Sequence, residues 1–195
     1  MQFSVLVTKV KDYLRLDGTE VEAAIKSFIN EAVYEFMQID EWERLKTTYT
    51  ITTDGSGSYA LPTDFVSEIT LITETSSYSK LNYENYYKSA TKTELYSILG
   101  VDIYVEGTSS DLVLIYSTTG TPKDLVNDTD ENRVITYYPE EIKQWTIWKM
   151  LDFLGDTESS SKEQGRLSNM ISTLKQKEQR VRKNGKTFNL TIQNR

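Results

Sequence analysis

From Val21 to Phe36 the apolar residues fall at Val21, Ala24, Ile25, Phe28, Ile29, Ala32, Val33 and Phe36, at helical spacing without a miss. A stripe of this length fits one structure, a helix that buries one whole face against other helices. Asp17-Gly18 breaks the chain ahead of it. Thr19 reads as an N-cap, with Glu22 three residues on to complete a capping box. Trp42 and Leu45 close the segment. A shorter helix precedes it over residues 3–15, with Leu6, Val10, Tyr13 and Leu14 on one face. The opening "MQFSVLVTKVKDYL" reads as this helix rather than a signal peptide, since it lacks a positive n-region and a small-residue cleavage site.

At residue 46 the pattern changes. "TTYTITTD" alternates β-branched and aromatic residues as a strand does, and "GSGS" is a turn. "YALP" continues as a short strand that Pro62 ends, because proline cannot donate a ladder hydrogen bond. "TDF" turns the chain and "SEITLITET" runs back. Segments 101–107 and 111–117 read as a hairpin. The Tyr-rich stretch 80–99 fits one or two short helices. Residues 46–120 are therefore expected to form a small antiparallel sheet of four to six strands, and 121–137 a connecting loop. Pro139 opens the next helix at its first position, followed by Glu140 and Glu141 near the positive end of its dipole. Ile142, Trp145, Trp148, Leu151 and Leu154 give its apolar face, and Gly155 its C-terminal cap. A last helix spans about 158–183, with Leu167, Met170, Ile171, Leu174 and Val181 inward. Residues 184–195 form an extended tail in which Phe188, Leu190 and Ile192 alternate with polar residues.

The expected class is α+β. Helix pairs at 1–45 and 138–183 form one four-helix bundle, because each stripe needs a partner. The β-rich region 46–120 is inserted into it.

The residues available limit the chemistry. The 195-residue chain has no Cys and no His, which removes thiol nucleophiles, Cys/His zinc sites and every His-based triad. No apolar run reaches membrane-span length. There is no phosphate-binding glycine loop and no nucleophile elbow. Asp54, Asp64, Glu68, Asp102 and Glu106 could supply a carboxylate pair, but their spacing singles out none. "DTDEN" lacks the central Gly and closing Glu of a calcium loop. No catalytic residue, cofactor or metal is expected.

Charge is more informative. The net charge is −7, yet residues 162–195 hold nine Lys/Arg against two Asp/Glu, and the first 161 hold 13 against 27. The segment "KQKEQRVRKNGK", residues 175–186, is a candidate contact with an acidic partner or with phosphate, or a solvated basic helix end. The alternating tail is too short for a core of its own and gains order by adding to a sheet edge or lying in a groove.

Three stretches carry a family likeness: "VEAAIKSFINEAVYEFMQIDEWERL" at 21–45, "YALPTDF" at 59–65 and "YYPEEIKQWTIWKMLDFLGD" at 137–156. With the order of elements, they resemble the phage head-to-tail connector (adaptor) proteins, in particular podophage tail tubular protein A and the gp6-like connectors. The resemblance spans nearly the whole chain. It implies a structural virion protein at the head–tail junction, assembled in the host cytoplasm, and no enzyme. It implies a ring of about twelve copies, docked on the portal protein and joined to tail or nozzle proteins. Double-stranded DNA would pass through the channel without sequence-specific binding, and an acidic wall would let it slide. Arg180, Arg182, Lys183, Lys186, Phe188, Leu190 and Ile192 would then face the portal, while Tyr59, Leu61, Pro62 and Phe65 anchor the β insert. The alternative is an accessory tail protein whose Tyr83, Tyr86, Tyr87 and Tyr96 contact a partner or a glycan.

Overall fold

A computed structural model describes residues 1–106, 111–120 and 124–183. In chain order the elements are α1 (Phe3–Leu14), α2 (Thr19–Ile39), a 3-10 turn at Glu43–Leu45, β1 (Lys46–Ile51), β2 (Ser58–Ala60), β3 (Phe65–Ile72), β4 (Ser77–Lys80), α3 (Tyr83–Lys88), β5 (Leu95–Leu99), β6 (Asp102–Val105), β7 (Leu112–Thr118), α4 (Arg133–Tyr137), α5 (Pro139–Phe153) and α6 (Thr157–Lys183). The class is mixed α+β. The chain divides into a helical unit, Met1–Glu43 with the described residues from Asp124 on, and a β unit, Arg44–Lys123.

In the helical unit α5 is the packing centre, in contact with α1, α2, α4 and α6, while α1 also packs on α2. Most of the α2 stripe is buried, with Ile25, Ile29, Ala32, Val33 and Phe36 inside, Met37 joining them, and Val21, Ala24 and Phe28 half-buried. The expected capping box does not form. Gly18 is the N-cap at φ 120°, a conformation L side chains rarely adopt, and it carries the chain into the helix at Thr19. The Glu22 carboxylate is drawn instead to Lys11 at 3.4 Å and Lys26 at 3.1 Å.

The buried row of α5 also differs from the single expected stripe. Gln144, Thr146, Ile147 and Met150 are buried beside Ile142 and Trp145, whereas Leu154 is exposed. A helix with neighbours on several sides buries more than one face. Pro139 does open α5, and Gly155, at φ 77°, follows the C-cap Leu154. The region expected to be a bare loop is pinned to the unit. Asn30 accepts from the Leu125 N–H and donates to the Leu125 carbonyl, both at 2.9 Å. The Asp128 and Asp130 carbonyls accept from the first N–H groups of α1, which have no partner inside their own helix. The region then ends in α4, capped by Asn132.

One aromatic cluster closes this unit. Trp42 stacks on Phe36 with centroids 4.5 Å apart, Tyr138 packs against both, and Trp42 Nε1 donates to the Phe36 carbonyl at 2.9 Å.

The β unit holds one seven-stranded sheet in the order β1-β7-β3-β4-β5-β6-β2. This exceeds the expected strand count, and β4 and β5 pair in parallel within an otherwise antiparallel sheet. The expected hairpin of 101–107 with 111–117 is overturned: β6 pairs with β5 and β2, and β7 with β1 and β3. The physical reason lies in the alternation. Ile103 and Val105 form one buried row and Leu112, Leu114 and Tyr116 another. Placed in different parts of a curled sheet, the two rows share one core with Ile51, Leu71 and Tyr96. The stretch 80–99 yields one short helix, α3, and then strand β5.

Trp42 is 1% exposed, so Trp42→Ala should cost about 3–5 kcal/mol. Urea denaturation of the full chain measures it.

Candidate functional site

The corner "YALPTDF" is built inside the β unit. Tyr59 lies on β2 opposite Ile103. The Leu61 N–H donates to the Val101 carbonyl at 2.8 Å, and the Phe65 N–H closes a turn on the Pro62 carbonyl at 3.0 Å. The Asp64 carboxylate then reaches across to β7, accepting from the Tyr116 hydroxyl at 2.9 Å and the Thr118 hydroxyl at 2.6 Å. Phe65 lies 5.8 Å from the Tyr116 ring. Tyr59, Leu61 and Phe65 all pack on the core of the β unit. Asp64, which the sequence placed in the turn and among the possible paired carboxylates, fastens that corner to β7 with charge-assisted bonds.

Three other candidate acids of this unit also have local partners. Glu68 pairs with Lys80, Glu106 pairs with Lys92 at 2.6 Å, and Asp54 accepts from the Ser56 N–H at 2.9 Å. Among the described residues no group of three or more acidic, His or Cys side chains could hold a metal ion. No helix among them is long and apolar enough to cross a membrane.

The four singled-out tyrosines separate. Tyr86 and Tyr96 are buried, and burial pushes both hydroxyls up to about 12, with Glu106 and Glu68 respectively adding to the effect. Tyr87 is 72% exposed, and Tyr83 lies half-buried between it and Tyr104.

The basic end of the chain rides on α6. At 27 residues this helix is about 40 Å long. Its fully buried positions are mostly polar. Leu167 is buried, Met170, Ile171 and Leu174 are half-buried, and Val181, expected inward, is 49% exposed. Ser160, Glu163 and Glu178 complete the buried row. Glu163 accepts from Gln144 at 2.7 Å, Tyr13 at 3.0 Å and Arg166 at 2.8 Å. Burial alone would raise this carboxyl, but the bonds from Gln144, Tyr13 and Arg166 outweigh it and hold the group below its usual range. Glu178 accepts from the Glu43 N–H at 3.1 Å and the Tyr138 hydroxyl at 3.4 Å.

These carboxylates were missed in the sequence. The signal that could have found them is their spacing: Ser160, Glu163, Leu167, Ile171, Leu174 and Glu178 step by three and four. On the outside, Lys177 and Arg180 are exposed, at the helix end where cations are favoured. Arg182 and Lys183 are the last basic residues of α6. Lys186, Phe188, Leu190 and Ile192 lie outside the described residues.

The chain matches the family of the SU10 adaptor protein over residues 1–188, and it belongs to that family. It is thus a structural adaptor of a phage virion, with partners at the junction it adapts. No curated protein matches the chain.

The depressed Glu163 carboxyl stabilises the fold at neutral pH. The sign follows from linkage: the contribution is complete above the ordinary value of 4.5, shrinks as the pH falls below it, and is gone below the lowered native value. The stability difference between wild type and Glu163→Gln should therefore be constant from pH 7 to about 5 and narrow in more acidic buffer. Denaturant titrations at a series of pH values measure it.

Proposed function

We propose that this adaptor is a head-to-tail connector of the podophage, gp6-like kind. It forms a ring of about twelve copies that docks on the portal protein and carries the tail or nozzle proteins, with a channel left for DNA. The observation that carries this reading is the family match, which extends through both units and α6 into the tail. In this reading the four long helices act as one bundle and frame the ring. The end of α6, with Arg180, Arg182, Lys183 and Lys186, meets acidic groups of the portal, and Phe188, Leu190 and Ile192 supply apolar contacts. An acidic body then lets DNA pass without sticking.

The protein works at the head–tail junction after assembly in the host cytoplasm, without turnover and without a cofactor. Support for a structural role comes from four acids of the β unit: Asp54, Asp64, Glu68 and Glu106 hold a turn, a strand corner or a lysine. The second reading, recognition of a partner or glycan by the β unit, retains Tyr83 and Tyr87 and loses Tyr86 and Tyr96 to packing.

Native mass spectrometry of the chain mixed with the portal protein of the same genome tests the proposal. The expected mass is one portal ring plus about twelve copies. A chain that stays unbound overturns it. Removing residues 185–195 should weaken portal binding while the helical unit keeps its unfolding transition.

A further inference from the structure

We infer that β1 is a docking edge for the tail of a second copy of this chain, so that copies meet through an added strand before the portal engages them. The proposal builds on the ring reading and names the contact between neighbours.

The edge itself comes first. β1 is the last strand at one end of the sheet, paired on one side by β7 and on the other by no strand among the described residues. Such a row of backbone groups is a template for another chain unless something blunts it. β1 is "KTTYTI", six residues with no Pro and no bulge in its pairing, and Thr48, Tyr49 and Thr50 are exposed. The opposite edge strand, β2, has three residues and stops just short of Pro62, so it is protected where β1 is open.

The faces of β1 then say what fits. Thr47, Tyr49 and Ile51 stand opposite Tyr116, Leu114 and Leu112, which belong to the core, so this row faces inward. Ile51 is covered at 3% exposure, but Tyr49 is 41% exposed in that same row. The inner layer is therefore unfinished on the side where a further strand would lie. Lys46, Thr48 and Thr50 form the outer, polar row.

One segment of this chain has the matching pattern. Residues 187–193, "TFNLTIQ", alternate an apolar row of Phe188, Leu190 and Ile192 with a polar row of Thr187, Asn189, Thr191 and Gln193. The segment is about the length of β1, and it contains no Pro and no charge. Laid beside β1, its apolar row extends the Thr47-Tyr49-Ile51 layer and its polar row faces water. A slip of one residue would reverse both rows, so the register is specified. The same apolar row then has two successive partners, a neighbouring copy first and the portal on docking.

The absence of Cys allows a direct test in the full chain without portal. A Tyr49→Cys protein is mixed with a Leu190→Cys protein and oxidised, alongside a control pair of Tyr87→Cys with Leu190→Cys. The expected result is a disulfide-linked heterodimer in the first mixture well above the control. Equal yields, or none, overturn the proposal. Sedimentation gives a second reading free of Cys at Tyr49. Leu190→Asp should weaken self-association by more than about tenfold, and Thr191→Asp, on the polar row, should change it little. A wild-type chain that stays monomeric, or two variants that behave alike, overturns it. Because the portal takes no part, failure here leaves the portal-docking measurement independent.

Discussion

The helical unit depends on a closure between distant parts of the chain. Phe36 and Trp42 come before the β unit and Tyr138 after it, and the three rings meet in one buried cluster. Bringing these residues together closes a loop of roughly a hundred residues, and loop entropy grows only slowly with length. The insertion is therefore inexpensive, provided it folds without leaving loose chain. Among its described residues the strands of the β unit share one core. Once the loop is closed, α5 can lie against helices from the first part of the chain and against α6 from the last.

How much of this was legible follows from the number of neighbours each element has. The α2 stripe was read correctly because a helix with one buried face displays one periodicity. The residues of α5 defeated the same method, since Gln144, Thr146 and Ile147 are buried beside Ile142 and Trp145. α6 failed in the other direction. Its attachment relies on Glu163 and Glu178, and a search for apolar residues passes over carboxylates satisfied by Gln144, Tyr13 and Tyr138.

In the β unit, strand positions were largely visible from alternation, but their partners were not. Adjacency in sequence favoured joining β6 to β7, whereas the core requires their apolar rows in different parts of the sheet. The parallel pairing of β4 with β5 is likewise invisible, because it depends on how α3 returns the chain. The motif "YALPTDF" was recognisable as a corner. Its fastening through Asp64 to Tyr116 and Thr118 was not, since more than fifty residues separate the partners. Of the residues proposed for the portal, the sequence had already grouped those at the end of α6, and charge was the signal.

The order in which α2 and α5 occur has a consequence for synthesis. A ribosome completes α2 at Ile39 and does not begin α5 until Pro139. At about 5–20 residues per second, the apolar row of α2 waits on the order of ten seconds for its main partner. During that interval α1 and the Trp42 ring stacked on Phe36 can shield part of it. The β unit, whose core needs nothing from outside 44–123, can finish folding within the same window. The nascent chain thus carries the whole β unit while much of that helix face still waits for α5.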